Sequence, residues 1–271
     1  MTSATGAFTV PAGQAPGGTL VRSARGLALR GLRMIRRLPS AFFPALAMPI
    51  FQTIAFSGTF FAITKIPGFP TDRSVNWYLP FAACMGSGFA GLGLGFTTVR
   101  DIESGFYDRL RMAPTPRLAL IIGPLITAWT RVVIVITSVL IVGFAFGARL
   151  TGGPLGLLML YVAGLGVATT ASGWGLGLAY RFGDMRAAAL MQLTLFNAIF
   201  LSNAQTPLNV MTGWLHGVAR INPFTNILRL ARVGWLGDVT WNDTWGGLVA
   251  IVAISALTLL FAYRGLEKLA D

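Results

Sequence analysis

Chemistry at a protein site begins with a group that can move a proton, attack a carbon or hold a metal, and this 271-residue chain offers few. Its one histidine, His216, stands two residues from Trp214 with no carboxylate nearby in sequence. A single imidazole makes no His-rich metal site, and without an orienting acid it is a poor general base. Cys84 is the only cysteine, which excludes an intrachain disulfide and a cysteine metal cluster. A phosphate-cradling Walker A loop ends in Lys followed by Ser or Thr. The two lysines do not fit it: Lys65 precedes Ile66 and Lys268 precedes Leu269. Gly91, Gly93 and Gly95 resemble a fragment of a nucleotide loop, but no strand precedes them. No pair of carboxylates lies inside an apolar stretch, which argues against a proton-driven carrier. The chain reads as a non-enzyme with no catalytic residues, metal or cofactor of its own.

The elements that must position the remaining polar groups follow from composition. Hydrophobic residues make up 54% of the chain and charged residues 11%, against about a quarter charged in a soluble domain. Too few charges remain to cover a water-facing surface, so lipid is the solvent. The formal charge of +12 does not signal nucleic acid, because the arginines gather at the ends of apolar blocks, as topology-setting charges do. About 20 apolar residues cross a hydrocarbon core as a helix. Six segments suffice: 42–64, 77–99, 118–146, 155–180, 187–211 and 245–263. The expected fold is an all-α integral membrane protein with six transmembrane helices. A disordered tail over 1–19 would precede a single membrane domain over 20–271.

An even number of spans puts both termini on one side. That side collects fourteen basic residues, among them Arg100, Arg109, Arg117, Arg181 and Arg264, against six opposite. The positive-inside rule then places both termini in the cytoplasm. Between residues 20 and 38, Arg22, Arg25, Arg30, Arg33, Arg36 and Arg37 fall within an arc of roughly 140° at about 100° per residue. Leu20, Ala24, Leu27, Met34, Ile35 and Leu38 take the opposite side, while Leu29 and Leu32 break the pattern. This is an amphipathic helix for an anionic membrane surface. Beyond the fifth span, Asn222-Pro223 is a cap and first helical position. Phe224, Ile227, Leu228, Ala231 and Trp235 follow at helical spacing, with Arg229 and Arg232 opposite, where long side chains snorkel. Short outer or re-entrant helices are expected there.

Two polar constellations remain. In the fifth span Gln192, Ser202, Asn203 and Thr206 fall broadly on one side of a helical wheel, which fits either a substrate path or interhelical hydrogen bonds. Arg131 lies within the third span and needs a partner or water. Ser87, Gly91 and Gly95 form a small-residue stripe, as do Gly173 and Gly177, and such stripes let helix backbones approach closely. Between the second and third spans, Ile102, Phe106 and Leu110 recur every fourth residue, a ridge on one short helix. Asp101, Glu103, Asp108, Arg109 and Arg111 surround it, and Pro114 ends it. An exposed apolar ridge has to dock.

That loop, with Glu103, Gly105, Leu110, Pro114 and Arg117 in order, resembles the type-2 ABC exporter permeases, and within them the daunorubicin and doxorubicin resistance permeases. Pro207, Trp214, Asn222-Pro223, Arg232 and Gly237 form a second matching region. The chain departs from the pattern at Phe106, where the family often has Thr or Ser. The resemblance implies a permease working as a pair of six-helix units, with itself or a related chain, in the cytoplasmic membrane of a bacterium. A separate ABC ATPase subunit would bind ATP and magnesium. Ile102, Glu103, Gly105, Phe106, Asp108, Arg109, Leu110 and Pro114 would form its coupling helix. The cargo implied is a hydrophobic or amphipathic compound, drug-like or lipid-like; a polysaccharide or glycolipid is the alternative within the family, and a non-transporting membrane scaffold the alternative outside it.

Overall fold

The structure is a computed structural model that describes residues 17–37, 39–111, 115–237 and 239–270. The expected tail lies outside the described residues up to position 16, as does Pro114. Among those described, every regular element is helical: α1 (Gly17–Arg37), α2 (Pro39–Thr59), a 3₁₀ turn (Phe61–Lys65), α3 (Ser74–Glu103), α4 (Phe106–Arg111), α5 (Ala119–Ala145), α6 (Gly153–Phe182), α7 (Arg186–Phe200), α8 (Trp214–Ile221), α9 (Pro223–Leu236) and α10 (Trp241–Ala270).

Four of these, α3, α5, α6 and α10, are long and apolar enough to cross a membrane. Each coincides with an expected span: α3, α6 and α10 extend past theirs at both ends, and α5 stops one residue inside its own at each end. α2 has 21 residues and α7 only 15. α7 thus stops eleven residues short of the expected end at Met211. The run Ser202-Asn203-Ala204-Gln205-Thr206-Pro207 explains the stop. Ser and Asn side chains compete for local backbone groups, and Pro207 disfavours helix in the residue before it.

The core is built around α3, which is buried without interruption from Ser74 to Gly88. α6 packs on one side of α3 and α5 on another. The small-residue stripe does what its spacing suggests. A methyl group at Gly91 would lie 2.5 Å from the carbonyl oxygen of Ala168 on α6, and one at Gly173 would lie 2.7 Å from the Thr258 backbone on α10. Lipid offers little hydrophobic drive between helices, so contact this close is what holds the bundle.

α1 lies along α5, burying Ala24 and Ala28 and leaving Arg22, Arg25, Arg33 and Arg37 exposed. The side chain of Arg36 is not among those described. Leu29 and Leu32, which break the helical wheel, face an apolar groove shared with Ile122 and Ile126 of α5. At the other end of the bundle α9 wedges between α3, α6 and α10, and all five of its expected apolar residues are buried. α8 stays on the surface, with Trp214 and Ile221 exposed.

Candidate functional site

The α3–α4 turn carries the coupling residues expected from sequence, but not on one helix. α3 continues through Ile102 to Glu103, where Ser104 N–H donates to Arg100 O (2.9 Å) and Gly105 N–H to Ile102 O (3.0 Å). Gly105 then takes a left-handed φ of +68°, a conformation costly for a residue with a Cβ. α4 starts afresh at Phe106. The reversal turns the ridge inward. Ile102, Phe106 and Leu110 are half-buried and, with Leu27, pack against this chain's own buried cluster of Tyr107, Leu120, Tyr180 and Leu266. The expectation of an open apolar ridge is therefore corrected, and the surface of the turn is polar: Glu103, Ser104, Asp108 and Arg109.

Three interactions fix that surface. Arg30 on α1 grips both oxygens of Asp101 at 2.6 Å, and its guanidinium lies 4.1 Å from the centroid of the Phe106 ring. Tyr107 is buried, with its hydroxyl 3.1 Å from that of Tyr180. Tyr180 donates to Leu120 O (3.1 Å), so the shared proton between the two phenols belongs to Tyr107. Burial pushes the Tyr107 phenol above its ordinary pKa, which keeps it a neutral hydrogen-bonding group. One arginine of the surface helix is thereby clamped to the end of the central helix, which helical periodicity alone did not reveal.

The polar residues expected on one face of the fifth span are dispersed. Gln192 is exposed on α7, whereas Ser202, Asn203 and Thr206 follow the end of that helix. Ser202 and Asn203 are buried, and the common face on a helical wheel does not exist. What organises this segment is Arg232, expected to snorkel and found only 3% exposed. Its guanidinium donates to Asn203 O (2.7 Å), Ala204 O (2.5 Å) and Trp77 O (3.3 Å) and stacks 3.5 Å from the centre of the Trp77 ring. Arg229, three residues away, instead pairs with Asp243 at the surface. Asn222 is the expected cap: its Oδ1 accepts from Phe224 N–H (2.9 Å), and its Nδ2 donates to Ala198 O and Leu201 O at the end of α7.

Below this cap an apolar cavity of about 340 Å³ is walled by Trp174, Thr194, Leu195, Ile227, Ile254 and Thr258. Thr194 accepts from Trp174 Nε1 (2.7 Å), so the wall offers little unsatisfied polarity. No group of three metal-ligating side chains occurs among the described residues. The arrangement holds helices at defined angles and carries a shaped polar turn at one end.

The sequence profile of the family described as ABC-2 type transporter matches residues 24–236, from α1 through α9. The chain belongs to this family. It is 27% identical over 264 residues to a Pyropia yezoensis protein named as transport permease ycf38, spanning 90% of this chain and 88% of that one. It is 25% identical over 240 residues to the daunorubicin resistance ABC transporter permease protein DrrB1 of Streptomyces coeruleorubidus, spanning 86% and 81%. The residues matched by the family profile span both the clamped turn and Arg232.

Proposed function

We propose that the chain is the membrane-spanning permease subunit of an ATP-driven exporter, with both termini in the cytoplasm of a bacterium. The family match over residues 24–236 carries the reading. In it, α2, α3, α5, α6, α7 with its following turn, and α10 make six crossings of the cytoplasmic membrane. A separate ABC ATPase subunit binds ATP and magnesium, and a second permease copy completes the transporter. The cargo is a hydrophobic or amphipathic compound, in keeping with the name of the Streptomyces relative and with the apolar faces the helices present.

The α3–α4 turn supplies the coupling mechanism. Its apolar side chains seat it on α1, α5, α6 and α10, leaving Glu103, Ser104, Asp108 and Arg109 to meet the ATPase. Because α3 runs unbroken into this turn, a push on the turn tilts the central helix directly. The Arg30–Asp101 clamp carries the same push to α1.

The test is co-expression with the ATPase, followed by co-purification and transport in inverted membrane vesicles. Glu103→Arg combined with Asp108→Arg is expected to release the ATPase while the permease stays monodisperse and thermally unchanged. Retention of the full complex with normal ATP-dependent transport by that double variant would remove the turn from the coupling path. No ATP-dependent transport by the intact pair would remove the exporter reading.

A further inference from the structure

Arg131 is not used by the fold or by the coupling turn. It sits twelve residues into α5, about 18 Å along the helix at about 1.5 Å per residue, well inside the apolar part of a candidate span. Its Nε is sealed from solvent and lacks a hydrogen-bond partner. Among the described residues it makes no ion pair.

Space is kept for this guanidinium. Gly91 and Gly95 press against α6, whereas Gly93 between them faces α5: a methyl group there would lie 3.1 Å from Arg131 Nη1. The guanidinium thus rests on bare α3 backbone, at the inner end of a cavity of about 50 Å³. The cavity reaches from the α3–α4 turn to Arg131, between α1, α3 and α5. At about 10–15 Å³ per water-sized site it has room for roughly three to five of them, enough for a group of phosphate size.

Its charges are unbalanced. Arg30 and Arg131 both line it, and among the described residues Asp101 is the only carboxylate that does. Both Asp101 oxygens are taken by Arg30. The hydroxyls of Thr97 and Thr127 already donate, to Gly93 O and Ala28 O. What remains is one unpaired cation facing a cavity of oxyanion size. A charge within a membrane span pairs with another group or faces a polar path. We infer that the cavity at Arg131 binds a phosphate-class oxyanion entering from the α3–α4 end. The exposed arginines of α1 beside its mouth would concentrate such anions by their positive potential. A phospholipid headgroup and a free phosphate share this chemistry. The exposed coupling residues Glu103, Asp108 and Arg109 do not line the cavity, while the clamp pair Arg30 and Asp101 and the turn's Phe106 do.

The test reads Arg131 directly in the intact wild-type protein. Detergent-purified protein is treated with phenylglyoxal, and peptide mass mapping follows the modification of Arg131. The additions are phosphatidylglycerol, phosphatidylethanolamine, glycerol phosphate or inorganic phosphate. Phosphatidylglycerol is expected to slow modification about tenfold, equivalent to a tenfold change in free site, with phosphatidylethanolamine far weaker. Native mass spectrometry should show the matching adduct in wild type and in Arg25→Gln, and its loss in Arg131→Gln. Protection by glycerol phosphate or inorganic phosphate but not by the lipid assigns the site to a soluble anion and supports the same chemistry. The inference is overturned if Arg131 reacts equally under all additions, if it is inert in their absence, or if folded Arg131→Gln keeps the adduct. The labelling arm decides even where that variant does not fold.

Discussion

Arg232 and Arg229 sit three residues apart on α9 and share a charge, yet they do opposite work. Arg229 holds a surface carboxylate, and exposed pairs contribute about 0–1 kcal/mol. Among the described residues, Arg232 is the only side chain that donates to the Asn203 and Ala204 carbonyls, and it lies flat on Trp77. Leaving one buried acceptor unsatisfied costs about 1–3 kcal/mol, so Arg232→Gln is expected to cost about 2–5 kcal/mol in all. Thermal unfolding in detergent should show a large fall for Arg232→Gln and almost none for Arg229→Gln. Arg232→Lys should sit close to the Gln variant, because a compact ammonium cannot span two carbonyls and a ring face as a planar fork does. Equal behaviour of the 229 and 232 variants would show that Arg232 holds nothing together. The sequence could not separate these two residues. A helical wheel sees only the residues of its own helix, and the three acceptors of Arg232 come from α3 and the segment after α7. Arg131 was legible for a simpler reason: a cation surrounded by branched apolar residues is conspicuous whatever the fold.

At the scale of elements, the long helices were readable because about 20 apolar residues in a row leave few alternatives in lipid. The α3 glycines were readable too, since small residues four apart place their bare backbones on one stripe. They yield a prediction by contrast. Gly91→Leu drives a side chain into the Ala168 backbone, and overpacking of this kind costs about 1–3 kcal/mol or more. Gly26, exposed on α1 with no neighbour near its missing Cβ, should accept Ala with a gain of up to about 1 kcal/mol from helix propensity. Size-exclusion yield and unfolding temperature should move in opposite directions for the two variants; a Gly91→Leu protein as stable as wild type would deny the close α3–α6 contact. The coupling ridge was only half readable. Amphipathic spacing says that Ile102, Phe106 and Leu110 seek burial, but not whose surface buries them. Gly105 decided the matter by reversing the chain. Phe106→Ala should consequently lower the permease's own stability by about 1–3 kcal/mol, the scale of an aromatic side chain losing part of its burial. Arg109→Ala should leave stability untouched and act only on ATPase association. If Phe106→Ala unfolds at the wild-type temperature, the ridge is not seated on its own chain.

For the molecule as a whole, the question is which way the bundle faces. The fold brings α1, the end of α3 and α4 together through the Arg30–Asp101 clamp. The other end is sealed by α8, α9 and Asn222. Basic residues concentrate at the clamp end, so under the orientation proposed above the positive-inside rule leads us to expect the clamp in the cytoplasm and α8 outside. α7 tests the arrangement hardest. At 15 residues it reaches about 22 Å, short of the roughly 30 Å hydrocarbon core. The remaining depth falls to the non-helical turn 201–213, a lipid-facing liability unless its backbone is satisfied within the protein. Arg232, Asn222 and Thr225 satisfy backbone groups of Leu201 and Asn203 at its start, so the proposed fifth crossing depends on this cap. Cysteine accessibility then separates the possibilities in a Cys84→Ser background. Thr212→Cys and Asn242→Cys, both exposed, are expected to react with an impermeant maleimide on intact cells, and Ser104→Cys only after permeabilisation. Ser74 would be a misleading probe, because it is buried with its hydroxyl on Ser57 O. Labelling of Ser104→Cys from outside would invert the bundle. Labelling of Thr212→Cys and Ser104→Cys from the same side would mean that α7 does not cross, leaving an odd number of spans and α10 running the opposite way.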